Sequence, residues 1–207
     1  MTGQFLTLEG IDGAGKSTHV DFIRDWLTAR GIDVIVTREP GGTPLGEALR
    51  ALLLDVKSDI SLDTETLLMF AARQAHVDAV IRPALAAGRW VLSDRFTDAT
   101  FAYQGGGRGV PFERIAELER WVLRDLRVDR TFLFDIPPDV ARARMSTTRT
   151  LDRFEREREA FHQRVRNAYL SRAEADIDRI RVLDAELPVV TLQAELARDL
   201  GRLLERR

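Results

Sequence analysis

The sequence predicts an α/β protein: a parallel five-stranded sheet flanked by helices, with a short lid at about residues 146–155. Three observations predict it. Short β-rich runs alternate with longer segments of helical period. The runs are nearly continuous in apolar residues, as strands covered on both faces must be. A glycine-rich turn also follows the first run directly, where a strand–loop–helix unit holds phosphate.

Each element follows in order. "QFLTLE" (4–9) is the first strand, and Val20, Ile23 and Leu27 then keep a helical stripe behind the glycine-rich turn. "DVIVT" (33–37), "RWVLSD" (89–94) and "RTFLFD" (130–135) are the next three strands. Phe154, Phe161, Val165 and Tyr169 repeat at helical spacing, and "IRVLD" (180–184) is the fifth strand. Leu192, Leu196, Leu200 and Leu203 close the chain behind Pro188, which is well placed near a helix start. Right-handed crossovers between such strands give a parallel sheet with ligands beyond its carboxyl ends.

Composition narrows the function. A chain of 207 residues suits one domain. A formal net charge of −2 with 44% apolar residues offers no broad positive field, so nucleic acid is not expected as a partner. With no cysteine, disulfides, thiolate catalysis and cysteine metal sites are excluded. "MTGQFLTLEG" has no basic segment leading into a long apolar one, so a cytoplasmic address and no membrane are expected.

"GIDGAGKST" (10–18) fits the phosphate-loop pattern G-x-x-x-x-G-K-[ST], which makes the expected sheet of the P-loop NTPase type. Backbone N–H groups of Gly10, Ile11, Asp12, Gly13, Ala14, Gly15, Lys16, Ser17 and Thr18 would converge on the phosphates of a nucleoside triphosphate at a helix amino terminus. Lys16 would reach the β- and γ-phosphates and Ser17 would ligate Mg²⁺. Mg²⁺ wants further oxygen ligands, and strands end in Asp94, Asp135 and Asp184. Asp94, followed by Arg95, is the preferred metal candidate, with Glu9 at the end of the first strand beside it.

A GTP switch would need motifs that are missing: "VKSD" (56–59) lacks the guanine-reading Asn or Thr, and no D-x-x-G lies outside the phosphate loop. A phosphotransferase needs a second anion site facing the first. Arg38 in "TREPGGTP" (37–44) and Arg95 in "DRF" (94–96) stand at successive strand ends, and a guanidinium fork suits phosphate oxygens. The stretch 141–166 carries eight arginines, many spaced for helical ion pairs such as Arg153 with Glu157. Within it "STTRTLDR" (146–153) breaks the helical pattern, as a lid would, and offers Arg153 or Arg149 to the transferred phosphoryl group.

"LEGIDGAGKST", "TREPGGTPL", "LLMFAARQAH", "DRFTDATFAYQGGGRG" and "LDRFE", in this order, resemble the bacterial thymidylate kinase family from residue 5 to about 184. The resemblance implies a single nucleoside monophosphate kinase-like domain over 1–207, usually a homodimer, that passes the γ-phosphate of ATP to dTMP with Mg²⁺ as cofactor. It implies that Arg38 and Arg95 grip the dTMP phosphate, and that Phe70 stacks on thymine. Arg73, Thr100 and Gln104 would bond near O4 and N3, Tyr103 would sit by the deoxyribose, and Asp12 near the 3′-hydroxyl. Gly13 stands where part of the family carries a phosphate-loop arginine, so the lid would supply that charge. An acceptor whose second pKa is about 6 is largely dianionic at neutral pH, so no strong general base is needed. The rival readings are a kinase of another nucleoside monophosphate and a nucleotide-binding regulatory ATPase.

Overall fold

The computed structural model describes residues 3–145, 153–154 and 159–205. Five strands form one sheet: β1 (Phe5–Glu9), β2 (Val34–Arg38), β3 (Trp90–Asp94), β4 (Arg130–Asp135) and β5 (Ile180–Asp184). Their order is β2-β3-β1-β4-β5, and every pairing is parallel, with Leu6 opposite Leu92 and Arg130. All five match the runs expected from the sequence.

β1 is wholly buried because both of its faces are covered. Leu6 and Leu8 enter one core cluster with Trp90, Leu92 and Phe132, whereas Phe5 and Val91 enter the other. That alternation is the period of two that a strand imposes. The first cluster is closed by α1 (Lys16–Thr28), α8 (Glu159–Ala175) and α9 (Val189–Glu205), which contribute Ile23, Leu27, Val165, Leu196 and Leu200. Those are the stripes foreseen from helical spacing. Phe154 differs: it is buried in a turn outside α8, with its ring edge-on to Tyr103.

The second cluster lies under α3 (Leu62–His76), α4 (Arg82–Ala86) and α6 (Phe112–Leu123). α2 (Pro44–Leu54) starts on Thr43, whose hydroxyl accepts the Gly46 N–H, with Pro44 in the first turn. Ser61 caps α3 in the same way through the Thr64 N–H, and Asp63 and Glu65 add negative charge to its first turn. Two π-helical segments, Val77–Ile81 after α3 and Phe101–Gly107 after the short α5 (Thr97–Thr100), were not foreseen. A short α7 (Pro138–Arg144) follows β4. Among the described residues, no helix is long and apolar enough to cross a membrane.

Candidate active site

The carboxyl ends of β2, β3 and β1 lie side by side, and each carries one part of the site. The glycine-rich turn leaves β1 and enters α1 at Lys16. Gly13 has φ +84, and a Cβ there would lie 2.3 Å from the Ala141 carbonyl oxygen. Gly15 is also left-handed but open, with no atom within 4 Å of an added Cβ. Ile11 and Ala14 bury their side chains in the core, which leaves only their backbone for a ligand. Lys16 donates to the carbonyls of Gly10 (2.9 Å) and Ile11 (3.0 Å). Burial, helped by the Arg95 charge, pushes its pKa down to about 8.

A cavity of about 520 Å³ opens over this turn, lined by Lys16, Ser17, Asp94, Arg95 and Arg38 among others. Its rim holds five cations (Lys16, Arg38, Arg50, Arg95, Arg144) against three carboxylates (Asp12, Glu39, Asp94), so it is net positive where two polyanions would meet. Arg50 and Arg144 had no distinguishing sequence signal. Thr18 is exposed and does not line the cavity.

Arg95 is the hub. Its backbone is left-handed, φ +70, a strained setting for a side chain of this size. Nη1 donates to the Gly10 carbonyl (2.9 Å) and to the Tyr169 hydroxyl (3.2 Å). Nη2 donates to Asp12 Oδ1 (2.7 Å) and to the Tyr103 hydroxyl (3.1 Å). Although burial opposes it, the Arg95 and Lys16 charges hold the Asp12 carboxyl well below the usual range. Arg38 is more exposed and forks onto Glu47 at 3.0 Å through both carboxylate oxygens.

The two metal candidates separate. Asp94 Oδ1 is buried without a hydrogen-bond partner, in a residue that lines the cavity with Ser17. Such an orphan acceptor fits a hard cation. Glu9 is corrected: it lies outside the cavity lining, and its oxygens accept the Phe96 N–H (2.7 Å) and the Tyr169 hydroxyl (2.7 Å). Complete burial, with Asp98 nearby, pushes its pKa up to about 8. Asp135, for its part, is taken by Arg166 at 2.7 and 2.8 Å.

A second, narrower cavity of about 100 Å³ continues between the strand ends and α3, and Arg73, Thr100, Tyr103 and Gln104 all line it. Four residues, Asp12, Glu39, Arg50 and Arg95, belong to both cavities. Phe70 is corrected: it is 2% exposed, belongs to the second core cluster and does not line the cavity. Met69 lines it instead. Met69 and Phe70 both neighbour Arg73 on α3, four and three residues away, but Phe70 packs into the second core cluster with the Arg73 guanidinium 4.7 Å from its ring centre.

Arg73 is fixed by Glu39 (Nε to Oε2, 2.7 Å), and His76 Nδ1 meets the other oxygen at 2.9 Å. His76 Nε2 meets the Thr37 hydroxyl at 2.7 Å, so both ring nitrogens are engaged. This buried Glu39–His76 support was missed: both residues lie in quoted motif stretches, but nothing in the sequence shows that they meet across 37 residues. Arg153 is not beside the phosphate loop: Nη1 donates to the buried Glu65 at 2.7 Å, near Gln104. Arg149 and most of the expected lid lie outside the described residues, as does Glu157. Among the described residues no cluster of three or more His, Cys, Asp or Glu is suited to a metal.

Comparison with known proteins points to one family. The family model described as Thymidylate kinase matches residues 8–196. A thymidylate kinase of Chromobacterium violaceum is 63% identical over 99% of this chain and 96% of its own length. One from Thiobacillus denitrificans is 59% identical over 96% of both chains. The crystal structure of thymidylate kinase from Ehrlichia chaffeensis superposes with a TM-score of 0.79 at 31% identity, covering 97% of this chain and 99% of that one.

Proposed function

The chain belongs to the thymidylate kinase family, and from that premise we propose how its side chains divide the work of phosphoryl transfer. The enzyme is a phosphotransferase that moves the γ-phosphate of ATP to dTMP, giving dTDP and ADP. In our reading, the triphosphate lies over Gly10–Thr18 with its terminal phosphates at Lys16, while the dTMP phosphate meets Arg95 and Arg38. The observation that carries this reading is Arg95, which lines both cavities and sits within hydrogen-bond reach of the phosphate loop.

The acceptor arrives already ionised, so the chemical obstacle is repulsion between two anions. Catalysis is then positioning plus charge neutralisation. Lys16, Arg95 and Arg38 supply fixed positive charge around the in-line path. Ser17 and the Asp94 carboxylate, whose Oδ1 has no hydrogen-bond partner, would hold Mg²⁺, which when bound neutralises β- and γ-phosphate charge. Arg73 and Gln104 read the base edge, Thr100 supports Arg73, and Met69 and Phe96 pack the ring. Tyr103 and Asp12 face the sugar. A lid arginine, Arg149 or Arg153, reaches the transferring group on closure and helps exclude water.

We also propose a homodimer, supported by Leu67, Phe112 and Trp121, which are exposed on the neighbouring helices α3 and α6. Sedimentation at the monomer mass would refute it. A cytoplasmic location suits the two nucleotide substrates; recovery in the membrane fraction would contradict it. The transfer roles are tested by Arg95→Ala, with ADP release measured against each nucleoside monophosphate in turn. Transfer to dTMP falls by orders of magnitude while ATP binding persists; near-normal turnover would refute the assignment.

A further inference from the structure

Glu65, Met69 and Arg73 are spaced four apart along α3 and so form one stripe. Glu65 is fully buried. Its Oε1 accepts Gln104 Nε2 at 2.9 Å, its Oε2 accepts Arg153 Nη1 at 2.7 Å, and Arg108 Nε lies 3.5 Å away. An ionised carboxylate offers acceptors only, so it takes the amide nitrogen of Gln104 and turns the carbonyl oxygen the other way. Gln104 lines the narrower cavity.

Arg73, 3% exposed, lines the same cavity. Its Nε is committed to Glu39, and its Nη2 to the Phe96 carbonyl and the Thr100 hydroxyl. Nη1 is buried with no hydrogen-bond partner. The cavity thus offers a ring one orphan donor and one oriented acceptor. Thymine presents the complement, an O4 acceptor beside an N3–H donor. Cytosine presents the reverse, an amino donor beside an unprotonated N3.

We propose that Glu65 is a positioning residue for base recognition: by holding the Gln104 amide nitrogen it commits the carbonyl oxygen to N3–H, and so sets the preference for dTMP over dCMP. The proposal rests on reading this cavity as the dTMP site. A carboxylate here costs desolvation, and the cost is offset by two guanidinium groups and one amide.

The test is calorimetric titration of dTMP and dCMP into the full-length protein without ATP. Wild type binds dTMP in preference to dCMP. Glu65→Gln puts an amide at that position, which both donates and accepts, so Gln104 is free to turn. The dTMP:dCMP affinity ratio then falls by roughly tenfold or more. Adding Gln104→Glu to that variant again sets an amide N–H against a carboxylate and restores the ratio.

A folded E65Q protein whose ratio stays within twofold of wild type overturns the proposal. Should E65Q fail to fold, the exchange variant E65Q/Q104E decides: preference for dTMP supports the assignment, and loss of it overturns it. A wild type with no preference refutes the reading of the cavity itself, a different failure.

Discussion

Binding of ATP should draw a proton from solution, and Lys16 is the reason. Its ammonium is buried next to Arg95, and the pKa drops from 10.5 to about 8 in the ligand-free protein. Near pH 8, then, about half the molecules carry a neutral Lys16. A bound triphosphate supplies the missing counter-charge and returns the pKa to its ordinary value or above. Uptake is about 0.1 proton per ATP at pH 7, about 0.5 at pH 8 and about 0.9 at pH 9. Restoring the ammonium couples to binding by on the order of 3 kcal/mol, and ATP affinity falls about fivefold between pH 8 and pH 9. The assay is calorimetric titration of a non-hydrolysable ATP analogue at pH 8 in Tris and in HEPES, buffers of different ionisation enthalpy. The slope of observed enthalpy against ionisation enthalpy counts the protons. Lys16→Arg, whose guanidinium does not deprotonate in this range, gives a slope near zero. A zero slope for the wild type at pH 8 would refute the reasoning. The sign for stability runs the same way: the folded state gives up this proton before the unfolded state does, so ligand-free stability gains from Lys16 as pH rises from about 8 to 10.5.

Three other outcomes follow from the geometry. Glu9, pushed up from 4.5 to about 8, keeps a proton that the unfolded chain has lost, so its contribution is full below about pH 4.5 and is lost as pH rises through 8. Glu9→Gln flattens the melting temperature over that window; an unchanged pH profile would count against the burial argument. Gly13→Ala drives a methyl against the Ala141 carbonyl and unfolds or severely destabilises the protein, whereas Gly15→Ala costs only the left-handed penalty of about 1–2 kcal/mol. Equal losses in urea denaturation would contradict this. Phe70→Ala costs about 3–5 kcal/mol of stability with little change in KM for dTMP, while Met69→Ala raises that KM and spares the KM for ATP. Steady-state kinetics with denaturation curves separate the two.

The sheet was legible because its code is local. A strand covered on both faces must be apolar throughout, and "FLTLE" and "TFLFD" carry that signal whatever surrounds them. The phosphate loop was legible for the same reason, since its chemistry depends on backbone and spacing. What failed to show was whatever depends on which way a side chain turns. In "LLMFAAR" an aromatic invites the role of platform, and both Met69 and Phe70 have helical spacing to Arg73, so only the packing of Phe70 into the second core cluster separates them. Glu9 and Asp94 both end strands, and only the structure tells the saturated carboxylate from the orphaned one. Glu65 and Glu39 have partners that lie 39 and 34 residues away, at Gln104 and Arg73, beyond any local pattern.

Asp12, Glu39, Arg50 and Arg95 line both cavities. Arg95 is there ion-paired with Asp12 and also holds the Gly10 carbonyl and two tyrosine hydroxyls, and phosphate is a stronger rival for a guanidinium than a hydroxyl or a carbonyl is. Whichever nucleotide enters first therefore redraws the room left for the second. Donor and acceptor affinities measured one at a time describe a half-furnished enzyme, and a substitution at any of these four positions is felt by both guests.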